Sequence, residues 1–474
     1  MAEYKKNINN KAKRVMPDDT KRHKTLSPAR EMALFCTRII RERDAYASDI
    51  IDANIDTSSM SREDRAFATR LILGVVSCVG TLDEVIDRCM NSASDADENV
   101  RDVLRISTYE ILYLNKDAHA AVDQGVRLVR TFNPNATGFV NAILRRIVKA
   151  KEEFPFGNPY TDKEAFARFY AFPQWLSDMV IEELGEVDAG YFMKESNEPA
   201  PLFVALNTIK SDIGSFEKTL IKIHAPYSAV EIDGRQIANC AKLDNSRILQ
   251  DPALSKMLKS GQLLVADAAS QAVVQNIMPI DEPKSFLEIG AGRATKTILI
   301  QSFANEYYGR QIARYCTLDN LGFKSEIIKK RVVQYGVHVD DVLTGDATDL
   351  SAAVNDEKFD MVFIDAPCSG LGTLRRHPEI RWRIKPSAID ELANTGLLML
   401  KSASHHVKDG GYLGYATCTI TSKENTCVVK AFLDSDEGKG FRLDAVEGKG
   451  CFATKLYPGS PDAHFAVRFV KKGL

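Results

Sequence analysis

The residues best equipped for chemistry in this chain are two cysteines, each set just after an apolar run that reads as a β-strand. Cys368 lies in Asp365-Ala366-Pro367-Cys368-Ser369-Gly370, behind Phe359-Asp360-Met361-Val362-Phe363-Ile364. Cys418 lies in Tyr415-Ala416-Thr417-Cys418-Thr419, behind Gly411-Tyr412-Leu413-Gly414. Open α/β sheets bind ligands at the carboxyl ends of their strands, so both thiols fall on the functional edge. A thiolate can add to C6 of a pyrimidine and convert the ring to an enamine that accepts a methyl group at C5. A base must then remove the C5 proton so that the thiol is expelled. A free thiol of pKa about 8.5 is mostly protonated at neutral pH, so such a site has to favour the anion. Asp365 is suited to hold the base edge and assist proton movement at N3. The plain alternative is that either thiol is a small buried hydrophobe, the reading taken for Cys36, Cys78, Cys89, Cys240, Cys316, Cys427 and Cys451.

Upstream, Glu288-Ile289-Gly290-Ala291-Gly292-Arg293-Ala294-Thr295 joins a strand to a helix that begins near Lys296. Glycines let the backbone approach a cofactor, and a helix N-terminus offers unpaired N–H donors. Such turns serve several nucleotide cofactors, and some are only tight turns. Asp319 ends the next strand, where a carboxylate can accept both ribose hydroxyls, and Asp346 follows the third, placed for an adenine amino group. Acidic residues at three successive strand ends favour S-adenosylmethionine over a dinucleotide, whose third glycine is replaced here by Thr295. Past Cys368, Arg375, Arg376, Arg381, Trp382 and Arg383 fit a nucleic-acid backbone and a stacking base. Alternatively, the arginines pair with acids and the tryptophan is core.

The elements that position these residues divide the chain. Residues 1–26 form a basic tail expected to be disordered; Lys5, Lys6, Lys11, Lys13, Arg14, Lys21, Arg22 and Lys24, with Arg30 just beyond, face only three acids in the first thirty residues. Residues 27–150 read as an all-α bundle; Met32, Phe35, Cys36, Ile39 and Ile40, for example, share one helical face. A helical linker is expected over 151–198 and a small α+β module over 199–262. From 263 to 474, strands Ser285–Ile289, Arg314–Leu318, Val339–Leu343, Phe359–Ile364 and Gly411–Ala416 alternate with helices. Two further runs, Phe441–Val446 and His464–Val470, are placed to add an antiparallel edge hairpin. That rhythm predicts a Rossmann-like, doubly wound, mostly parallel seven-stranded sheet.

The 474 residues are 45% apolar and 27% charged with net charge −2, an ordinary globular composition that leaves room for basic patches. The charge-free apolar stretch near Leu71–Leu82 is short for a bilayer, no signal segment is evident, and no Cys/His spacing suits zinc. A cytoplasmic protein with reduced thiols, without membrane or metal, is expected. Its oligomeric state is not fixed by the sequence, with a monomer as the working expectation.

At these motifs the chain resembles the bacterial ribosomal-RNA small-subunit methyltransferase B family (Sun/Fmu type), within the RNA cytosine-C5 methyltransferases. The likeness is carried by Ala266-Asp267-Ala268-Ala269-Ser270-Gln271, Asp365-Ala366-Pro367-Cys368-Ser369-Gly370-Leu371-Gly372, and Thr417-Cys418-Thr419 with Glu424-Asn425 downstream. Asp462-Ala463-His464-Phe465-Ala466 approximates the family's closing Asp-Gly-Phe-Phe-Ala. Ala118-His119-Ala120-Ala121-Val122 and Phe139-Val140-Asn141-Ala142-Ile143-Leu144-Arg145 are similar to the NusB-type helical RNA-binding domain. The resemblance implies S-adenosylmethionine as cofactor, small-subunit ribosomal RNA as partner, Cys418 as nucleophile and Cys368 as its helper in product release. Two motifs depart from the family. The family's Asp-x-Cys-Ala-Ala-Pro-Gly-Gly-Lys-Thr loop keeps Lys296-Thr297, but Glu288 replaces the aspartate and the middle reads Gly-Ala-Gly-Arg-Ala-Thr. Its Arg-Val-Asn appears as Ala205-Leu206-Asn207. The competing readings are an RNA-binding assembly factor with a degenerate cofactor loop and, disfavoured by the helical region and the second cysteine, a DNA methyltransferase.

Overall fold

Helix Pro28–Arg43 starts on a proline, whose missing N–H costs nothing in a first turn, and buries Met32, Cys36, Ile39 and Ile40 along one stripe. The structure, a computed structural model, describes residues 26–55, 58–114, 117–445 and 448–473; the basic segment Lys5–Lys24 lies outside them. Arg30 is not part of a free basic arm, since its guanidinium pairs with the buried Glu110. Helix Arg62–Cys89 is capped by Ser61, which accepts from Asp64 N–H. By length and composition this helix could cross a bilayer, unlike the shorter stretch read from the sequence. Its Leu71, Ile72, Val75, Leu82, Val85 and Ile86 are instead buried in a helical core shared with Glu98–Tyr113 and Thr137–Ala150.

This helical unit runs to Glu198 and also takes in Leu374–Arg383, which arrives from far along the chain. Arg381 is fully buried there. Its guanidinium donates to Ala171 O at 3.3 Å, Asn197 Oδ1 at 2.7 Å and Ser196 O at 3.0 Å, and lies over the Phe172 ring. Ala171 and Ser196 are helix C-caps, where unpaired backbone carbonyls need donors. Trp382 donates Nε1–H to Ser77 O at 2.8 Å and lays its ring against Gly80.

The second unit holds two sheets. The smaller comprises β1 (Leu202–Leu206), β2 (Tyr227–Ile232), β3 (Arg235–Leu243) and β4 (Leu263–Val265), all antiparallel in the order β2-β3-β1-β4. Asn207, just past β1, donates from its buried amide to Gly261 O and Tyr335 O at 2.7 and 2.8 Å, tying this sheet to its larger neighbour. The larger sheet contains β5 (Ser285–Ile289), β6 (Arg314–Asp319), β7 (Asp341–Thr344), β8 (Phe359–Asp365), β9 (Val407–Thr417), β10 (Phe441–Leu443), β11 (Phe452–Ala453) and β12 (Phe465–Lys471). Seven of them run in the order β10-β12-β9-β8-β5-β6-β7, with β11 beside β12. Pairing is parallel from β9 to β7 and antiparallel at β12, β11 and β10, the Rossmann-like arrangement expected from the alternation. Pleat alternation sends Phe286, Met361, Phe363 and Ala416 to the face covered by helices Ala268–Ile277 and Thr295–Tyr307. Leu287, Ile289, Val362, Ile364 and Tyr415 go to the opposite face, against Met399, Leu400 and Phe432.

At an exposed helix position, replacing Gly by Ala would stabilise by about 1 kcal/mol. In Gly80→Ala the new methyl would meet the Trp382 ring at 2.2 Å. The variant is therefore expected to lose about 1–3 kcal/mol in urea denaturation, and a gain in stability would show that the ring does not pack there.

Candidate active site

The parallel pairing of β8 with β9 sets Asp365 opposite Ala416. Cys368 and Cys418 follow by three residues and two, so the pairing delivers both thiols to one point. Their sulfurs are 3.3 Å apart, and Cys418 N–H donates to Cys368 Sγ at 3.3 Å. Both are half-buried and free. The two loops are knit further by Gly372 N–H to Cys418 O (2.9 Å), Ala463 N–H to Gly372 O (3.0 Å) and Ala366 N–H to Ala416 O (2.9 Å). A side chain at Gly372 would strike Ala463 O at 1.9 Å, so only glycine lets the three segments meet. The Cys418 sulfur beside it, followed by burial, holds the Cys368 thiol well above the usual thiol range.

Lys296, in the first turn of the helix after β5, reaches Asp365 with Nζ–Oδ2 at 2.7 Å. Burial opposes its charge, but the Asp365 carboxylate outweighs that and holds the lysine above its ordinary value. His464, immediately before β12, is buried and contacts Ser270 Oγ at 3.4 Å, while its Nδ1 has no partner. Burial, then the Lys296 charge, holds the imidazole below its ordinary value and hence neutral. The sequence offered a signal for this residue, since His464 stands where the resembled motif has phenylalanine.

The other sequence-derived positions divide by sheet face. A cavity of about 330 Å³ opens at the ends of β5, β6, β7 and β8, lined by Gly290, Asp319, Asp346 and Asp365 from the expected set. Lys324, Thr348 and Met399 also line it, and the sequence reading did not include them. Gly290 has φ +81°, and a Cβ there would lie 2.3 Å from Asp365 O, so the close turn requires glycine. Asp319 accepts from Gly292 N–H at 3.0 Å and from Lys324. Asp346 accepts from Thr348 N–H and Oγ1–H at 2.8 and 2.7 Å. Ala291 is buried beside Ala294, the latter at φ +60°, a left-handed conformation unusual for a residue with a Cβ. Arg331 donates to Arg293 O and Thr295 Oγ1, fixing the outer turn of the loop.

Glu288 requires correction. The pleat turns its side chain away from the face of Ile289, which lines the cavity, and into the core, where it accepts from Tyr315 Oη at 2.9 Å. Burial raises its carboxyl to about 7. The arginine loop is corrected too. Arg381 and Trp382 are committed to the helical unit, and Arg383 pairs with Asp44 and donates to Ala45 O. Arg375 is buried and Arg376 partly so. Local sequence could not reveal this, because an arginine run reads the same whether it faces solvent or helix-end carbonyls.

Residues 274–466 match the family model described as 16S rRNA methyltransferase RsmB/F, and residues 27–149 match that of the NusB family. A Synechocystis protein named probable ribosomal RNA small subunit methyltransferase B is 29% identical over 414 residues, spanning 86% of this chain and 90% of its own length. The Escherichia coli ribosomal RNA small subunit methyltransferase B (strain 536) is 25% identical over 423 residues, 84% and 91% of the two chains. The crystal structure of PH0851 superposes with TM-score 0.74 at 20% identity, covering 94% of this chain and 99% of that one, and so shares the fold.

Glu288 makes stability pH-dependent. The native carboxyl titrates near 7 rather than 4.5, so between those values the folded state binds more protons than the unfolded chain. Stability therefore falls as pH rises through that window and levels off above it. Glu288→Gln removes the slope and is expected to be more stable than the parent at pH 8, by about 3 kcal/mol at most, with no advantage at pH 4. Equal pH dependence of the two proteins in urea titrations would refute this.

Proposed function

The chain belongs to the RsmB/F family of 16S rRNA methyltransferases and carries a NusB-family domain, and on that premise we propose that it methylates C5 of a cytosine in small-subunit ribosomal RNA. The observation that carries the reading is the 3.3 Å approach of Cys368 and Cys418 beside the Lys296–Asp365 pair. Methylation of an exocyclic amine needs no thiol, whereas addition to a pyrimidine ring carbon does.

S-adenosylmethionine, the methyl donor, supplies an electrophilic methyl group on a sulfonium centre. The cavity suits it: Gly290 allows close backbone approach, Asp319 ends β6 where ribose hydroxyls need an acceptor, and Asp346 is placed for an amino group.

Addition of the Cys418 sulfur to C6 forms a C–S bond and drives ring electrons toward C5, making that carbon nucleophilic. Asp365 and Lys296 hold the polar edge of the base, the carboxyl group assisting charge or proton movement at N3. After C5 carries its methyl group, loss of the C5 proton expels the Cys418 thiolate and restores the aromatic ring. Cys368 assists this release: the proton it holds beside Cys418 passes to the departing Cys418 sulfur, and the Cys368 thiolate so formed takes up the C5 proton. The target base is reached from its face, so it must be flipped out or taken from a loop.

Cys418→Ala is expected to lower turnover by more than about 1,000-fold and to form no covalent RNA adduct. Cys368→Ala should accumulate a denaturant-resistant protein–RNA adduct, and the reverse pattern on gels would exchange the two roles. Absence of any 5-methylcytosine difference in bisulfite sequencing of ribosomal RNA from a deletion strain would overturn the cytosine assignment. Failure to bind S-adenosylmethionine in calorimetry would favour an assembly factor instead.

A further inference from the structure

Beyond the two thiols and the base-holding pair, one buried acid touches both cysteine loops. Glu424 is 1% exposed. Its Oε1 accepts from Ser369 N–H at 2.6 Å, and its Oε2 lies 2.7 Å from Ser369 Oγ, 2.6 Å from Thr421 Oγ1 and 3.2 Å from Thr419 Oγ1. Ser369 is the residue after Cys368, and Thr419 is the residue after Cys418. The two hydroxyls also meet each other at 2.7 Å. Asn425, next in sequence, accepts from Thr417 Oγ1 at 2.6 Å and donates to Thr419 O at 3.0 Å, bracketing Cys418 from the other side.

We propose that Glu424 is a positioning residue for the two-thiol site, its carboxylate pinning the Cys368 loop to the Cys418 loop so that the sulfurs stay within reach of one shared proton. The proposal rests on the two-thiol reading above. A purely local role, closing the turn before helix Thr426–Asp434, would need only the contacts with Thr419 and Thr421. The two bonds to Ser369 span 55 residues and serve no local turn. The donor set also fits the residue type: a backbone N–H and hydroxyl groups converge on its two oxygens, and a carboxylate can accept at both. A carboxylate held this close also acts on the thiols through its charge. It is one of the groups that keep Cys368 protonated, after the Cys418 sulfur and burial. Glu424 thus helps decide which sulfur gives up its proton, without itself touching the substrate.

Glu424→Gln keeps the length and removes the charge; Glu424→Asp keeps the charge and is one methylene too short to reach both loops. The direct readout is the alkylation rate of each cysteine by iodoacetamide against pH, resolved by peptide mass spectrometry, which requires neither RNA nor methyl donor. In Glu424→Gln the midpoint for Cys368 is expected about one pH unit lower, with kcat reduced about 10- to 100-fold and KM for RNA unchanged. Glu424→Asp is expected to lose a similar share of kcat without the full shift in the Cys368 midpoint. Should Glu424→Gln fail to fold, Ser369→Ala, which deletes the hydroxyl's contacts with Glu424 and Thr419 but keeps the backbone N–H bond to Glu424, is expected to move the same midpoint by a smaller amount. Parent-like alkylation profiles in both Glu424→Gln and Ser369→Ala would overturn the proposal. A shifted profile in a protein that methylates no RNA would leave Glu424 in its role and refute the RNA reading instead.

Discussion

The register between β8 and β9 is the constraint on which the site depends. Parallel strands joined through the helix Pro386–Ser404 pair Asp365 with Ala416, and the short loops beyond have little freedom to separate the two sulfurs. A slip of one residue would turn Asp365 to the opposite face and break its contact with Lys296. Such a slip is resisted by burial on both faces, since Met361 and Phe363 pack on one side and Val362 and Ile364 on the other. The apolar alternation of β8 thus fixes the chemistry three residues beyond its own end and one beyond the end of β9.

Charge is arranged around that point with few solvent-exposed partners. Lys296 and Asp365 neutralise each other, His464 stays uncharged, and Glu424 is satisfied by hydrogen bonds from the loops it joins. Burying an ion costs several kcal/mol unless pairing and hydrogen bonds compensate, and each group here has one of those compensations. Glu288 is compensated least, at one of its two oxygens. With one hydrogen bond from Tyr315 and full burial, its carboxyl moves toward neutrality.

Much of this was legible in the sequence because the signals were local. Strand runs such as Ser285–Ile289 and Phe359–Ile364 match the observed strands to within a residue, and both cysteines lie where strand ends predict. Face and partner were less legible. Glu288 and Ile289 are neighbours in sequence, yet pleat parity sends one to the core and the other to the cavity. Arg381 and Trp382 read as a nucleic-acid surface by composition, but helix ends at Ala171 and Ser196 supply the carbonyls that claim the guanidinium. Those carbonyls are some two hundred residues away, and no pattern of side chains announces an unpaired backbone acceptor. Glu424 was visible as part of a motif, but its role needed Ser369 brought within hydrogen-bonding distance.

The two faces of the sheet carry different tasks, and Asp365 belongs to both. The cavity lies with Ile289, Leu318 and Met399 on one side, while Lys296 covers the other. As the last residue of β8, Asp365 stands where the pleat ends, so its carboxylate can line the cavity and bind Lys296 at once. An acid one residue earlier would replace Ile364 and be buried in the apolar layer, and one residue later it would replace Ala366 and leave Lys296 without its partner. That single position explains why an aspartate is found there, and why the base-holding group, the glycine turn and the thiol pair converge at one strand end.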